Sequence, residues 1–129
     1  MPSRDTVPEI RPAVEDDLVA VMRLLDAAVL EADASVVSNR IDDEAVLVAL
    51  ADGRIVGTLV LDDAHVDAIA VQQERRGRGI GSALVDTAAG RVDGPLTVDF
   101  DERVRPFYDA LGFGIEPRND RYWGSRDSR

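Results

Sequence analysis

The chain has no cysteine and no lysine, a single histidine, and few aromatic residues: three phenylalanines, two tyrosines and one tryptophan. Without cysteine there is no disulfide, no thiolate metal site and no route through a covalent acyl-cysteine enzyme. One histidine argues against a zinc site made of protein ligands alone. Without lysine, the Gly-Lys-Ser/Thr end of a Walker loop cannot be built. No apolar run approaches the roughly 20 residues of a membrane-spanning helix. The start Met1-Pro2-Ser3-Arg4-Asp5 lacks the pattern of a signal peptide, so a cytoplasmic location is expected.

What the chain has in excess is acid. Its net charge is −10, aspartate far outnumbers glutamate, and every cationic side chain apart from the histidine is an arginine. Such a field repels nucleic acid and anionic membranes, so neither is expected as a partner. The acids are spread along the chain instead of forming one block against a polycationic partner. This composition resembles that of proteins from salt-loving microbes, where ions screen carboxylate repulsion within about 3 Å at 1 M salt. At 129 residues with 45% hydrophobic content, residues 1–129 are expected to form one domain with a proper core.

Taken in order, Val7 to Pro12 alternates as an edge strand would. A helix follows from near Glu15, with Leu18, Val21, Met22, Leu25, Ala28 and Val29 on one stripe and Glu15, Asp16 and Asp17 in its first turn, where the dipole favours acid. Glu31 to Asp43 is polar and weakly patterned, a loop or a short second helix. Ala45 to Ala51 reads as a strand, Asp52-Gly53 as a hairpin turn, and Arg54 to Leu61 as the returning strand. After Asp62-Asp63 comes a third antiparallel strand, His65 to Val71. Pro95 to Phe100 is a further strand, Glu102 to Leu111 a short helix, and Phe113 to Glu116 and Arg121 to Trp123 two short terminal strands.

The organising stretch is Val71-Gln72-Gln73-Glu74-Arg75-Arg76-Gly77-Arg78-Gly79-Ile80-Gly81-Ser82, between the third antiparallel strand and an amphipathic helix. The first amides of a helix lack carbonyl partners, and the dipole adds partial positive charge there. Glycines at 77, 79 and 81 clear space for an anion and permit positive φ, while Arg75, Arg76 and Arg78 add charge. The dinucleotide fingerprint is not met, because the unit sits late in a short chain with no second half. A strand-to-helix turn with solvated arginines is the plainer alternative.

Arg76-Gly77-Arg78-Gly79-Ile80-Gly81 resembles the Gln/Arg-x-x-Gly-x-Gly/Ala signature of the GNAT N-acetyltransferase superfamily. Downstream, Asp101-Glu102-Arg103-Val104-Arg105-Pro106-Phe107-Tyr108-Asp109-Ala110-Leu111-Gly112-Phe113 is similar to that family's Asn-x-x-Ala-x-x-Phe-Tyr-x-x-x-Gly-Phe segment. It departs from the pattern at Asp101, Val104 and Pro106. The two motifs lie in the expected order, roughly 25 residues apart, and the resemblance spans about residues 8 to 123. It implies an α/β (α+β) fold with a mixed, mostly antiparallel sheet of about six to seven strands, flanked by about three to four helices.

The resemblance also implies acetyl-CoA as co-substrate, with no metal, and an amine acceptor. The acceptor would be a small amine, a peptide N-terminus or a lysine, attacking the thioester directly in a ternary complex. It implies that the cofactor arm pairs with the backbone of Ile69, Ala70 and Val71 like an extra strand. The diphosphate would sit on Arg75, Arg76, Gly77, Arg78, Gly79, Ile80, Gly81 and Ser82. Tyr108 stands at the family's position for the group that protonates the leaving thiolate, or else is a core aromatic. His65 is a candidate general base, expected two positions from Asp67 on a face shared with Ile69 and Val71; a surface histidine at a strand entrance is the alternative. Asp99 and Asp101 would bond the cofactor arm or cap the next helix. The resemblance leaves a monomer or a homodimer open. It also leaves a second class of function, a coenzyme A-binding sensor or regulatory module without catalysis.

Overall fold

The computed structural model describes residues 8–28 and 30–127; Val7 and Val29, both assigned to elements from the sequence, lie outside them. One seven-stranded sheet runs through the described residues in the order β1-β2-β3-β4-β5-β7-β6. The strands are β1 (Glu9–Pro12), β2 (Val46–Ala51), β3 (Arg54–Asp62), β4 (His65–Val71), β5 (Leu96–Phe100), β6 (Gly114–Arg118) and β7 (Arg121–Arg126). Only β4 and β5 pair in parallel; the other neighbours are antiparallel. Four α-helices, α1 (Leu18–Ala27), α2 (Ala34–Asp42), α3 (Ile80–Arg91) and α4 (Arg105–Ala110), complete the mixed α/β fold.

The interior strand β2, second from the edge, shows why the core has two layers. Leu47 and Ala49 join Leu59, Ile80, Leu84 and Val85 on the α3 face, and Val46 and Val48 join Val21, Leu25 and Val37 under α1 and α2. A continuous apolar run is what a strand covered on both faces requires. Gly57 lets α3 lie close on β3, since a Cβ there would come within 3.0 Å of Ile80.

Local departures have local causes. The helix expected from Glu15 opens as a single 3-10 turn, Glu15–Asp17, before α1. Asp17 is buried, and its carboxylate takes the Val14 N–H and the Arg11 guanidinium, each at 2.8 Å. The polar stretch before β2 is a helix, α2, capped by Asp33, which accepts the Ser35 N–H at 2.8 Å. Pro106 stands in the first turn of α4, where its missing N–H breaks no bond. Gly112, at φ +86, ends α4, with Phe113 N–H on the Tyr108 carbonyl at 3.2 Å and Gly112 N–H on that of Asp109 at 3.1 Å.

The strand that feeds the glycine turn carries a fault. β3 and β4 pair Leu59 with Ile69 and Val60 with Ala68, then Leu61 with Val66, leaving Asp67 as an extra residue. The alternation slips there. Ile69 and Val71 pack on the α3 layer, and so does Val66, while Ala68 and Ala70 belong to the other layer. His65 therefore faces away from Ile69 and Val71, which corrects the expectation that they share a face.

Candidate active site

β4 and β5 touch through two residue pairs, His65 with Thr97 and Val66 with Val98, and then part. The parting opens a cleft of about 880 Å³, walled by Val66–Val71 on one side and Val98–Asp101 on the other. From Asp67 to Val71, one backbone edge of β4 has no partner strand, so extended polar groups are available along it.

The open end of the cleft is the glycine turn. Gly77 and Gly79 take φ +80 and +83, and a Cβ on either would meet nothing within 4 Å, so the surface above them is bare. Gly79 is the N-cap of α3 and offers no side chain to its first amides. The amides of residues 77 to 82 donate to no backbone carbonyl of the described residues; the helical ladder begins with Ala83 N–H on Gly79. Gly81 has a different reason: a Cβ there would press within 3.2 Å of Phe107, so it seats α3 against α4. Arg75, Arg76, Gly77, Gly79, Ile80, Gly81 and Ser82 all line the cleft; Arg78 is exposed and does not. Arg76 is steered by a 3.4 Å bond from Nε to the Val71 carbonyl. Free amides, arginines and open space suit a diphosphate.

Tyr108 closes the inner wall. It is buried, stacks on Phe100 at 4.7 Å, and meets Phe107 and Phe113 edge-on at 4.9 and 5.2 Å. Its hydroxyl has no partner among the described residues, yet no buried side-chain polar atom among them is left unpaired, so the hydroxyl opens on the cleft. Burial, helped by the charge of Asp99, pushes the phenol up to about 12.

The remaining candidates separate. Asp101 lines the cleft but caps the turn before α4, accepting the Arg103 N–H at 2.9 Å and its guanidinium at 3.1 Å. His65 is not on the cleft wall. Its Nδ1 meets Thr97 Oγ1 at 2.7 Å, its Nε2 meets Asp99 Oδ1 at 3.0 Å, and its ring stacks on Trp123 at 5.1 Å. Asp99 caps nothing; it lines the cleft, and its Oδ2 accepts from Arg121 Nε at 3.1 Å. Burial works against its charge, but the bonds from His65 and Arg121 and the charge of Arg121 hold its carboxyl below the usual range. Sequence reading overlooked Arg121 and the Asp99–His65 contact. The alternation Leu96-Thr97-Val98-Asp99-Phe100 marks Asp99 as polar-facing, but only the parallel pairing of β4 with β5 brings it to His65.

A family model described as acetyltransferase (GNAT) domain matches residues 42–115, more than half of the chain. No curated protein matches it. Similar solved structures include a GNAT-family acetyltransferase from Bacillus cereus, with TM-score 0.81 and 19% identity over 95% of this chain and 98% of that one. A Salmonella typhimurium protein solved with its cofactor acetyl-CoA has TM-score 0.79 and 15% identity over 96% and 95%. A Mycobacterium tuberculosis protein solved in complex with CoA has TM-score 0.74 and 24% identity over 85% of this chain and 74% of its own.

Proposed function

The chain belongs to the GNAT acetyltransferase domain family, and from that premise we propose that it is an acetyl-CoA-dependent N-acetyltransferase acting on a primary amine by direct attack in a ternary complex. The observation that carries this reading is the continuity of one cleft. It runs from the unpartnered amides of residues 77 to 82, past the open edge of β4, to the Tyr108 hydroxyl. Similar structures solved with CoA and acetyl-CoA support the choice of co-substrate.

In this reading the glycine turn, Arg75 and Arg76 hold the diphosphate, and the backbone of Ile69, Ala70 and Val71 pairs with the amides of the arm. When bound, acetyl-CoA supplies an activated acyl carbon and a thiol leaving group. The protein's share is alignment, which is worth up to about 7 to 11 kcal/mol, and a hydrogen bond from Tyr108. His65 reaches the acceptor only through Asp99, since its ring nitrogens are turned on Thr97 and Asp99. A small amine or a peptide N-terminus suits such a site better than a lysine. An α-amine near pKa 8 is about a tenth neutral at pH 7, whereas a lysine near 10.4 is neutral in well under about one part in a thousand. In this reading the protein works in the cytoplasm, as a monomer or homodimer, and its lysine-free, aspartate-rich composition supports a high-salt setting.

Thiol release from acetyl-CoA, followed in molar potassium chloride with a panel of amines, tests the activity. Turnover with an α-amine is expected; coenzyme A binding without turnover on any amine would overturn it in favour of a sensor module. Gly79→Asp places a charged side chain, at a strained positive φ, over the bare turn. It should abolish coenzyme A binding, and unchanged affinity in a folded variant would remove the cradle from the account.

A further inference from the structure

α1 and α2 cover the β2–β4 part of one sheet face, and among the described residues no helix packs on β5 and β7 on that side. There His65, Thr97, Asp99, Arg121 and Trp123 lie together, with Asp99 opposite Trp123 in the ladder. Asp99 and Arg121 belong to two hollows at once: the main cleft, and a second of about 380 Å³ between the β6–β7 turn and Trp123. Since an ionised carboxylate only accepts, His65 carries a proton on Nε2, and its Nδ1, when bare, takes the Thr97 hydroxyl proton. Each Asp99 oxygen thus accepts one bond and keeps a further acceptor site, in an orientation fixed from two strands.

We propose that Asp99 receives the acceptor amine in its cationic form, with His65 and Arg121 as positioning residues that hold the carboxylate in the cleft wall near Tyr108. This rests on the reading of the cleft as an amine acetyltransferase site. Two other carboxylates line the cleft. Asp101 also has one bond on each oxygen, but both come from Arg103 in the turn it caps and it lines only the main cleft; Asp67 stands on the β4 bulge, and no donor among the described residues fixes it. Arg121 offsets part of the attraction, but its side chain is 52% exposed and water screens it. Asp99 is an anchor and not the base: its carboxyl lies below the ordinary range, so an ammonium near 8 to 10 would surrender its proton to it across more than about four pKa units. The first ammonium proton is lost instead by equilibration with bulk solvent through the second hollow, which at pH 7 costs about one to three pKa units. The freed lone pair forms the C–N bond, the C–S bond breaks with its electron pair on sulfur, and the second amine proton follows to water.

Trp123 is the chain's one tryptophan and stacks on His65, so its fluorescence reports on this place. Coenzyme A-saturated protein is titrated with butylamine and with the neutral butanol, in wild type and in Asp99→Asn, His65→Leu and His65→Gln, with folding checked by circular dichroism. Asp99→Asn should weaken butylamine about tenfold, the size of a charge-assisted hydrogen bond, and leave coenzyme A affinity unchanged. His65→Leu should weaken butylamine about threefold, and His65→Gln, which keeps an N–H donor, should recover it. Butylamine binding as in wild type by a folded Asp99→Asn would overturn the proposal, as would butanol binding equally well or no butylamine binding at all. Turnover is read separately on the same variants, with acetyl-CoA in place of coenzyme A. Amine affinity that depends on Asp99 without acetyl transfer would uphold the anchor and sink the acetyltransferase reading; transfer with an indifferent Asp99 would do the reverse.

Discussion

At the scale of single residues, Tyr108 shows how packing sets chemistry. The rings of Phe100, Phe107 and Phe113 strip water from the phenol, and Asp99 adds a repelling charge, so ionisation is pushed up to about 12. Against a thiol near 8.5, full proton transfer costs about 5 kcal/mol, so in the proposed reaction the hydroxyl would act as a hydrogen-bond donor to a developing thiolate and not as a full proton donor. Tyr108→Phe should lower kcat about tenfold to a hundredfold with coenzyme A affinity retained, and equal turnover would make the ring structural. Because the folded value is raised, the stability this group contributes is complete below about pH 10 and is lost as pH climbs toward 12. A kcat profile should accordingly show no fall from phenol ionisation between about pH 8 and 10. Tyr108 was visible in the sequence because its surroundings, Phe107 and Gly112-Phe113, are neighbours along the chain. The role of Asp99 was not, because its partners come from β4 and β7, more than twenty residues away on either side.

Among the elements, those with a clean period were readable and the irregular ones were not. α1 and α3 follow helical spacing, and β2 and β3 are nearly unbroken apolar runs bounded by turns, so all four can be placed within a few residues. The bulge at Asp67 left no local mark, and a strict period of two carried His65 to the wrong face. The turn before α1 hid its reason as well. Three acids in a row look equivalent, yet only Asp17 is buried, and it holds both Val14 N–H and Arg11, whereas Glu15 meets Ser38 at the surface. The hydrogen bond from Arg11 holds its carboxyl below the ordinary range against the pull of burial, with the Val14 N–H assisting. A depressed folded value means that the stability is present above about pH 4 and is lost as pH falls through the folded value. Asp17→Asn should therefore cost about 1 to 2 kcal/mol in urea unfolding at pH 7. The gap from wild type should narrow at about pH 3; an equal gap at both would mean that the ion pair contributes nothing.

Across the whole molecule, the two-residue contact between β4 and β5 divides stability as well as space. Residues 96 to 126 form a compact run of β5, α4, β6 and β7, joined to the rest by those two rungs and by the α3 side of the core, with the opposite face bare. Such a segment opens locally at less cost than β2 and β3, which are covered on both faces. In hydrogen exchange without ligand, amides of β5 and β7 should be released before those of β2 and β3. Coenzyme A, by bridging both sides of the divide, should slow β5 and β7 by more than it slows β2 and β3. Equal protection throughout, with a uniform response to coenzyme A, would show one cooperative unit. Otherwise the molecule unfolds in two tiers, and the ligand that fills the gap also sets how tightly the lower tier is tied to the upper.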